Sequence, residues 1–135
     1  MTPVPVYLHL LNEETAFYKD LEGFGWAADA INALYIRQIA KGKDNGIFAP
    51  ADGVTRAELS KMLVKAMGSD YNNQKTDFSD LSTDMWYYEP VAILEKLGSY
   101  DGICDTEFLA NTPVSRKEVC MLIKNIFEAN GVFIK

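Results

Sequence analysis

The chain has 135 residues, 48 % hydrophobic and 24 % charged, with a formal net charge of −6. That length suits about one ordinary domain with a sizeable core, and the acidic balance argues against nucleic acid as a partner, because phosphate binding needs an excess of Lys and Arg. Two cysteines, Cys104 and Cys120, are too few for a disulfide framework or a structural zinc site, and the single histidine, His9, lies in an apolar stretch. No metal, cofactor or His-based catalysis is therefore expected. The cysteines either pair with each other or behave as small hydrophobes. No run approaches the roughly 18 apolar residues of a membrane span, so membrane insertion is not expected. The stretch Met1-Thr2-Pro3-Val4-Pro5 lacks the basic segment of a signal peptide, and the expectation is that any export signal is missing from this chain.

The first segment, residues 1–17, is read as extended. Val4, Val6, Leu8 and Leu10 alternate with Pro5, Tyr7, His9 and Leu11, which suits a strand with one strongly apolar face. An unpaired strand invites another chain to add to it, so this segment is a candidate for joining copies into a homo-oligomer.

An internal repeat organises most of the remaining chain. Offsetting the sequence by 60 residues aligns 18–68 with 78–128 without a gap. Identical pairs include Asp20/Asp80, Trp26/Trp86, Gly42/Gly102, Phe48/Phe108, Arg56/Arg116 and Glu58/Glu118. Each copy reads as helix, loop, helix. In the first, Ala27, Ala30, Ile31 and Leu34 fall at i, i+3, i+4 and i+7 and make one apolar face. Lys43-Asp44-Asn45-Gly46 is a turn, and Phe48, like Phe108 in the second copy, is expected to anchor its loop to the helix pair. Thr55-Arg56-Ala57-Glu58 has the form of a capping box, in which the hydroxyl accepts from the N3 amide and the Glu reaches back to the N-cap amide. Leu59, Met62, Leu63 and Ala66 then form an apolar stripe.

Residues 69–77 are a polar linker, short enough that the copies should pack together. In the second copy Tyr87, Val91 and Leu94 keep the first helix face, and Pro90 fits only its first turn. Ser115-Arg116-Lys117-Glu118 is the second capping box, followed by a stripe of Val119, Leu122, Ile123 and Ile126. Val132-Phe133-Ile134, in the tail 129–135, is another short β-prone run. The fold expected is mainly α: two helix-loop-helix repeats packed together, with short β segments at the N- and C-termini.

These residues resemble the S-layer homology motif, whose outline is Phe-x-Asp, Trp-Ala, an Ile-x-x-Leu helix, Gly-Ile-x-x-Gly, Phe-x-Pro and Thr-Arg-Ala-Glu. The first copy reads Tyr18-Lys19-Asp20, Trp26-Ala27, Ile31 to Leu34, Gly42, Phe48-Ala49-Pro50 and Thr55-Arg56-Ala57-Glu58. The second reads Phe78-Ser79-Asp80, Trp86-Tyr87, Val91 to Leu94, Gly98 to Gly102, Phe108 and Ser115-Arg116-Lys117-Glu118. Departures include Gln38 where the leading Gly of the first loop belongs, Ser99 for Ile, and Ala110 for Pro.

The resemblance implies a non-catalytic module that attaches a protein to the cell surface by binding secondary cell-wall polysaccharide, often pyruvylated, in grooves between repeats. Carried over residue by residue, the ligand-binding candidates are Asp20, Trp26, Gly42 and Arg56, then Asp80, Trp86, Gly102 and Arg116. An Arg at a helix N-terminus can meet a pyruvyl carboxylate with paired donors, and a Trp face can stack on a sugar or fill a core. The Gly positions are equally turns, the Asp positions equally helix caps, and the Arg positions equally salt-bridged surface groups. Three such motifs usually close a bundle. With two, either residues 1–17 supply part of the third unit or chains associate. The alternative function is therefore a structural assembly module in which the repeats are scaffold and the N-terminal strand builds an oligomer or filament. Glu58 and Glu118 could in principle act as an acid–base pair, but capping explains both and no nucleophile accompanies them, so an enzyme is not expected.

Overall fold

The computed structural model describes residues 17–69 and 73–131. The alternating N-terminal segment and Val132-Phe133-Ile134 lie outside the described residues. Among the described residues there are four helices: α1 (Gly25–Ile36), α2 (Arg56–Ala66), α3 (Tyr88–Lys96) and α4 (Arg116–Ala129). They fall where the two copies of helix-loop-helix were expected, and the only β pairing among the described residues is an isolated bridge between Thr55 and Pro113.

Each helix ends at a residue in the left-handed region. Gly68, Gly98 and Gly131 follow α2, α3 and α4 with φ of +68°, +74° and +78°, while α1 ends at Gln38 with φ of +60°. A left-handed residue just past the end lets the next amides reach back to the last carbonyls. Here Ser69 and Ser99 donate to Val64 and Leu94 oxygens, and Ile39 donates to the Leu34 oxygen. Glycine adopts this conformation without strain and glutamine does not, so the first copy keeps the geometry of the missing Gly at a local cost.

The chain divides into two compact units, residues 1–52 and 53–135, so the boundary cuts the first repeat between its loop and its second helix. In the first unit, Tyr18 is buried, 5.0 Å from the Phe48 ring and 5.5 Å from Tyr35. Ile31, on the apolar face of α1, is buried with it. The loop after α1 closes by a bond from Lys43 N–H to the Ile47 oxygen, 2.7 Å, and from Lys19 N–H to the Gly46 oxygen, 2.9 Å.

The second unit packs α2, the second helix of the first repeat, against the second repeat. Its core is built from Val64 on α2, Val91 and Leu94 on α3, Leu122 and Ile126 on α4, and Phe78, Tyr100 and Phe108 from the connecting loops. Phe108 is fully buried and stacks against both Phe78 and Tyr100 at 5.5 and 5.1 Å. It is the loop anchor that the sequence suggested. Pro90 is the third residue of α3, inside the first turn, where a missing N–H leaves no bond unmade. The end of the linker is pinned to the same helix: Thr76 Oγ1 and Asp77 N–H donate to the two oxygens of Glu95 at 3.2 and 3.1 Å.

The stripes differ from expectation in detail. On α2 the fully buried positions are Ala57, Ser60 and Val64, with Leu59 and Leu63 flanking them, and Ala66 is exposed. On α4 Leu122 and Ile126 are buried, but Ile123 is 40 % exposed.

Candidate functional site

Arg56 is the first residue of α2, and the helix start around it is the one expected. Thr55 Oγ1 accepts from Glu58 N–H at 3.2 Å, and Glu58 Oε1 accepts from Thr55 N–H at 3.1 Å. The exposed amides of this helix end find their acceptors in the second repeat: Arg56 N–H donates to the Thr112 oxygen at 2.9 Å and Ala57 N–H to the Ala110 oxygen at 3.0 Å.

The Arg56 side chain goes the same way. It is only 7 % exposed. Nε donates to Glu118 Oε2 at 3.1 Å, Nη2 to Glu118 Oε1 at 2.6 Å, and Nη1 to the Phe108 carbonyl. This is a bidentate pair between the two capping-box sequences, Arg of the first and Glu of the second. The hydrogen bonding to Glu118 raises the Arg56 pKa further above its usual value, against the opposing effect of burial. The guanidinium is therefore committed to holding the start of α2 against the second repeat.

Glu118 consequently differs from Glu58. Ser115 Oγ accepts from Glu118 N–H at 3.1 Å, but the Glu118 carboxylate does not return to the Ser115 amide. The second box is half a box, because Arg56 takes the carboxylate. Arg116, the equivalent of Arg56, opens α4, is exposed, and has no ion-pair or hydrogen-bonding partner among the described residues.

Asp20 and Asp80 do not cap the helices that follow them. Each clamps the Phe loop of its own repeat, 28 residues on. Asp20 accepts from Phe48 N–H at 2.9 Å and Ala49 N–H at 2.7 Å, and Asp80 from Phe108 N–H at 2.8 Å and Leu109 N–H at 2.9 Å. Ala49 and Leu109 both have φ of +59°. Successive amides turned inward by a left-handed residue make an anion-binding concavity, and the chain fills it with its own carboxylate. The Phe48 N–H is the main reason the Asp20 pKa lies below the ordinary value. For Asp80 burial is the largest influence and pushes upward, but the Phe108 and Leu109 amides, its own amide and Arg56 together outweigh it, and the pKa is lowered.

Gly42 and Gly102 have φ of +68° and +81°. A Cβ on Gly42 would come within 2.9 Å of both the Ile47 oxygen and the Tyr18 ring, whereas one on Gly102 would meet only the end of the Met121 side chain at 3.0 Å. Gly42 is required by its own loop.

The tryptophans are at the surface. Trp26 is 86 % exposed and Trp86 54 % exposed. The Lys61 ammonium of α2 lies 5.3 Å from the Trp86 ring centre, and Tyr87 stands edge-on to that ring at 5.0 Å. A cation over an aromatic face is a favourable pair, and here it joins a helix of the first repeat to the start of the second. Sequence reasoning passed over Lys61. The only signal for it was a position five residues after Arg56 on a helix that carries Arg56 into the second repeat.

The family model for the S-layer homology domain matches residues 17–60 and 77–120. The chain belongs to the S-layer homology domain family. The surface-layer 125 kDa protein of Lysinibacillus sphaericus is 29 % identical over 107 residues, which is 79 % of this chain and 9 % of that protein. The S-layer protein sap of Bacillus anthracis is 29 % identical over 112 residues, 82 % of this chain and 14 % of that protein. The cellulosome-anchoring protein of Acetivibrio thermocellus is 26 % identical over 95 residues, 67 % of this chain and 21 % of that protein. The chain thus spans about a fifth or less of the length of these relatives.

Both cysteines of this S-layer homology chain are free, Cys104 half-buried and Cys120 exposed, and burial pushes the Cys104 thiol upward. Among the described residues no group of His, Cys, Asp and Glu could hold a metal ion, and no helix is long and apolar enough to cross a membrane.

Proposed function

We propose that this S-layer homology module is a non-catalytic anchor that holds the protein carrying it on the cell wall by binding a wall polysaccharide. The observation that carries the reading is the exposed Trp86 ring with the Lys61 ammonium beside it. An aromatic face stacks on the apolar face of a sugar ring, and an ammonium pairs with a carboxylate, so together they suit an acidic glycan such as one bearing pyruvyl groups. Trp26 offers a second exposed face. Asp20, Asp80, Gly42 and Gly102 shape the loops of their own repeats, and Arg56 holds the start of α2 on the second repeat.

The relatives support the coarser part. Proteins named for the surface layer and one named for anchoring share this stretch with the chain, in a small fraction of their length. A segment common to long proteins that are otherwise different suits where they are held, and this one belongs at the cell surface.

The test is co-sedimentation of the chain with purified wall polysaccharide. Trp86→Ala should abolish most binding and Lys61→Ala should weaken it, the latter only while the glycan keeps its acidic groups. Undiminished binding by Trp86→Ala, or no binding by the unaltered chain, would overturn the proposal.

A further inference from the structure

The dipeptide Asn-Gly occurs at Asn45-Gly46 and at Asn130-Gly131, and both asparagines are exposed. The fold treats the two pairs differently. Asn45 and Gly46 form the tip of the loop after α1, with φ of +62° and +73°. A tight turn with two left-handed central residues favours this dipeptide. The bond across the turn, from Ile47 N–H to the Asp44 oxygen, is long at 3.3 Å. Among the described residues neither the Asn45 side-chain amide nor the Gly46 N–H has a hydrogen-bonding partner. At the other pair both groups are held. Asn130 Nδ2 donates to the Ile126 oxygen at 2.8 Å, and Gly131 N–H donates to the Glu128 oxygen at 3.1 Å, at the end of α4.

We propose that Asn45 is a deamidation site at which the first repeat ages into an isoaspartyl form, while Asn130 is protected. A base in the solvent takes the Gly46 amide proton, and the nitrogen bonds to Asn45 Cγ. The Cγ–Nδ2 bond breaks, and the side-chain amide takes up a proton and leaves as ammonia. Water then opens the five-membered imide at one of its two carbonyls and leaves aspartate or isoaspartate. Glycine exposes the attacking nitrogen, since no Cβ stands beside it. To reach Cγ, Gly46 N has only the long turn bond to disturb, whereas the same swing at Asn130 breaks both bonds at the end of α4. Isoaspartate routes the main chain through one additional carbon, and this loop has no slack for it. Lys43 N–H is bonded to the Ile47 oxygen at 2.7 Å and Lys19 N–H to the Gly46 oxygen at 2.9 Å, while a Cβ on Gly42 would already stand 2.9 Å from the Ile47 oxygen. Phe48 follows directly on Ile47, so its bond to the Asp20 carboxylate is the next to loosen. The second repeat carries Asp105-Thr106 at the equivalent place, so this ageing is confined to the first. This inference does not depend on the glycan reading.

Peptide mapping by mass spectrometry tests it, on the full chain held folded for days in mildly alkaline buffer. The expected result is conversion at Asn45, with isoaspartate detected there by isoaspartyl methyltransferase labelling. Its rate should be at least about fivefold that at Asn130, the factor that one further hydrogen bond to be broken would give. In urea, where the fold no longer holds either pair, the two rates should converge. Hydrogen exchange on the aged chain should show the Phe48 amide deprotected and the Phe108 amide, its equivalent in the second repeat, unchanged. Asn45→Asp adds the same charge without the additional carbon and should keep the Phe48 amide protected. Equal rates at the two sites in the folded chain, a faster rate at Asn130, a ratio that stays the same in urea, or no isoaspartate at Asn45 overturns the inference. Loss of Phe48 protection in freshly prepared Asn45→Asp equal to that in the aged chain overturns the role given to the lengthened main chain.

Discussion

Glu118→Ala removes one partner of a buried ion pair and leaves the other in place. In the intact protein the Arg56 guanidinium has Glu118 on two of its nitrogens and the Phe108 carbonyl on the third, and its side chain is 9 % exposed. Losing one partner of such a pair costs about 3–5 kcal/mol, chiefly for the charge left buried. The Phe108 carbonyl remains, so the lower end applies, about 3 kcal/mol, which for a chain of this size lowers Tm by roughly 10 °C. Arg116→Ala is the control for Arg56→Ala, the same side chain at the equivalent site. Nothing among the described residues pairs with Arg116, so its loss should stay within about 0.5 kcal/mol. Urea unfolding followed by far-ultraviolet circular dichroism is the suitable assay, since both tryptophans are exposed and report poorly on the core. A double-mutant cycle with Arg56→Ala should give a coupling energy of about 2–3 kcal/mol. A loss under about 1 kcal/mol for Glu118→Ala, or an equal loss for Arg116→Ala, would refute the assignment of Arg56 to the interlock.

Three further changes test the local geometry. Gln38→Gly should stabilise the chain by about 0.5–1 kcal/mol, because it relieves a left-handed glutamine at the end of α1 at some cost in unfolded-chain entropy; unchanged thermal stability would argue against that conformation. Gly42→Ala should destabilise by about 2 kcal/mol or more and Gly102→Ala by about 1 kcal/mol, since the first forces a Cβ against a carbonyl and a packed ring and the second only against the tip of a methionine; equal losses in denaturant melts would contradict this. The pKa values of Asp20 and Asp80 are lowered in the fold, so the stability they supply is fully present above the ordinary Asp pKa of about 4 and is lost as pH falls through the lowered folded value. Replacing both by Asn should flatten the stability profile below about pH 4, and an unchanged acid limb would show that the clamps do not titrate as described.

Local patterns carried the helices and part of the site. The Thr55 box, the Pro90 position and the anchoring role of Phe108 follow from near neighbours in sequence, and each is present. The identical pattern at Ser115 yields only half a box because the competing group, Arg56, comes from 62 residues away. The Asp clamps were hidden for a different reason. The residues that turn their loops left-handed are Ala49 and Leu109, which carry no mark of that conformation, although the equal spacing of 28 residues from each Asp to its Phe was visible. Ile123 fits the periodicity of a buried stripe, yet it is exposed, because periodicity puts a residue on a face without saying what packs there.

The same interlock bears on the proposed ligand surface. Lys61 belongs to the helix of the first repeat and Trp86 to the start of the second, and the described structure joins α2 to the second repeat through Arg56 and Glu118 as well as the core. A cap of the Thr55 type contributes about 1 kcal/mol, whereas breaking the buried pair costs several times as much. That difference is the physical reason for the Glu118 carboxylate to serve Arg56 instead of its own helix end. Two substitutions therefore separate placement from contact. Trp86→Ala should lose wall binding at temperatures where it is fully folded while costing only about 1–2 kcal/mol, the worth of its Lys61 and Tyr87 contacts. Glu118→Ala should keep wall binding in the cold and lose it on warming in step with its own unfolding, roughly 10 °C below the unaltered chain. If Glu118→Ala lost binding while still fully folded by circular dichroism, the carboxylate would have to act on the ligand itself, and the division of labour between Arg56–Glu118 and Trp86–Lys61 would fail.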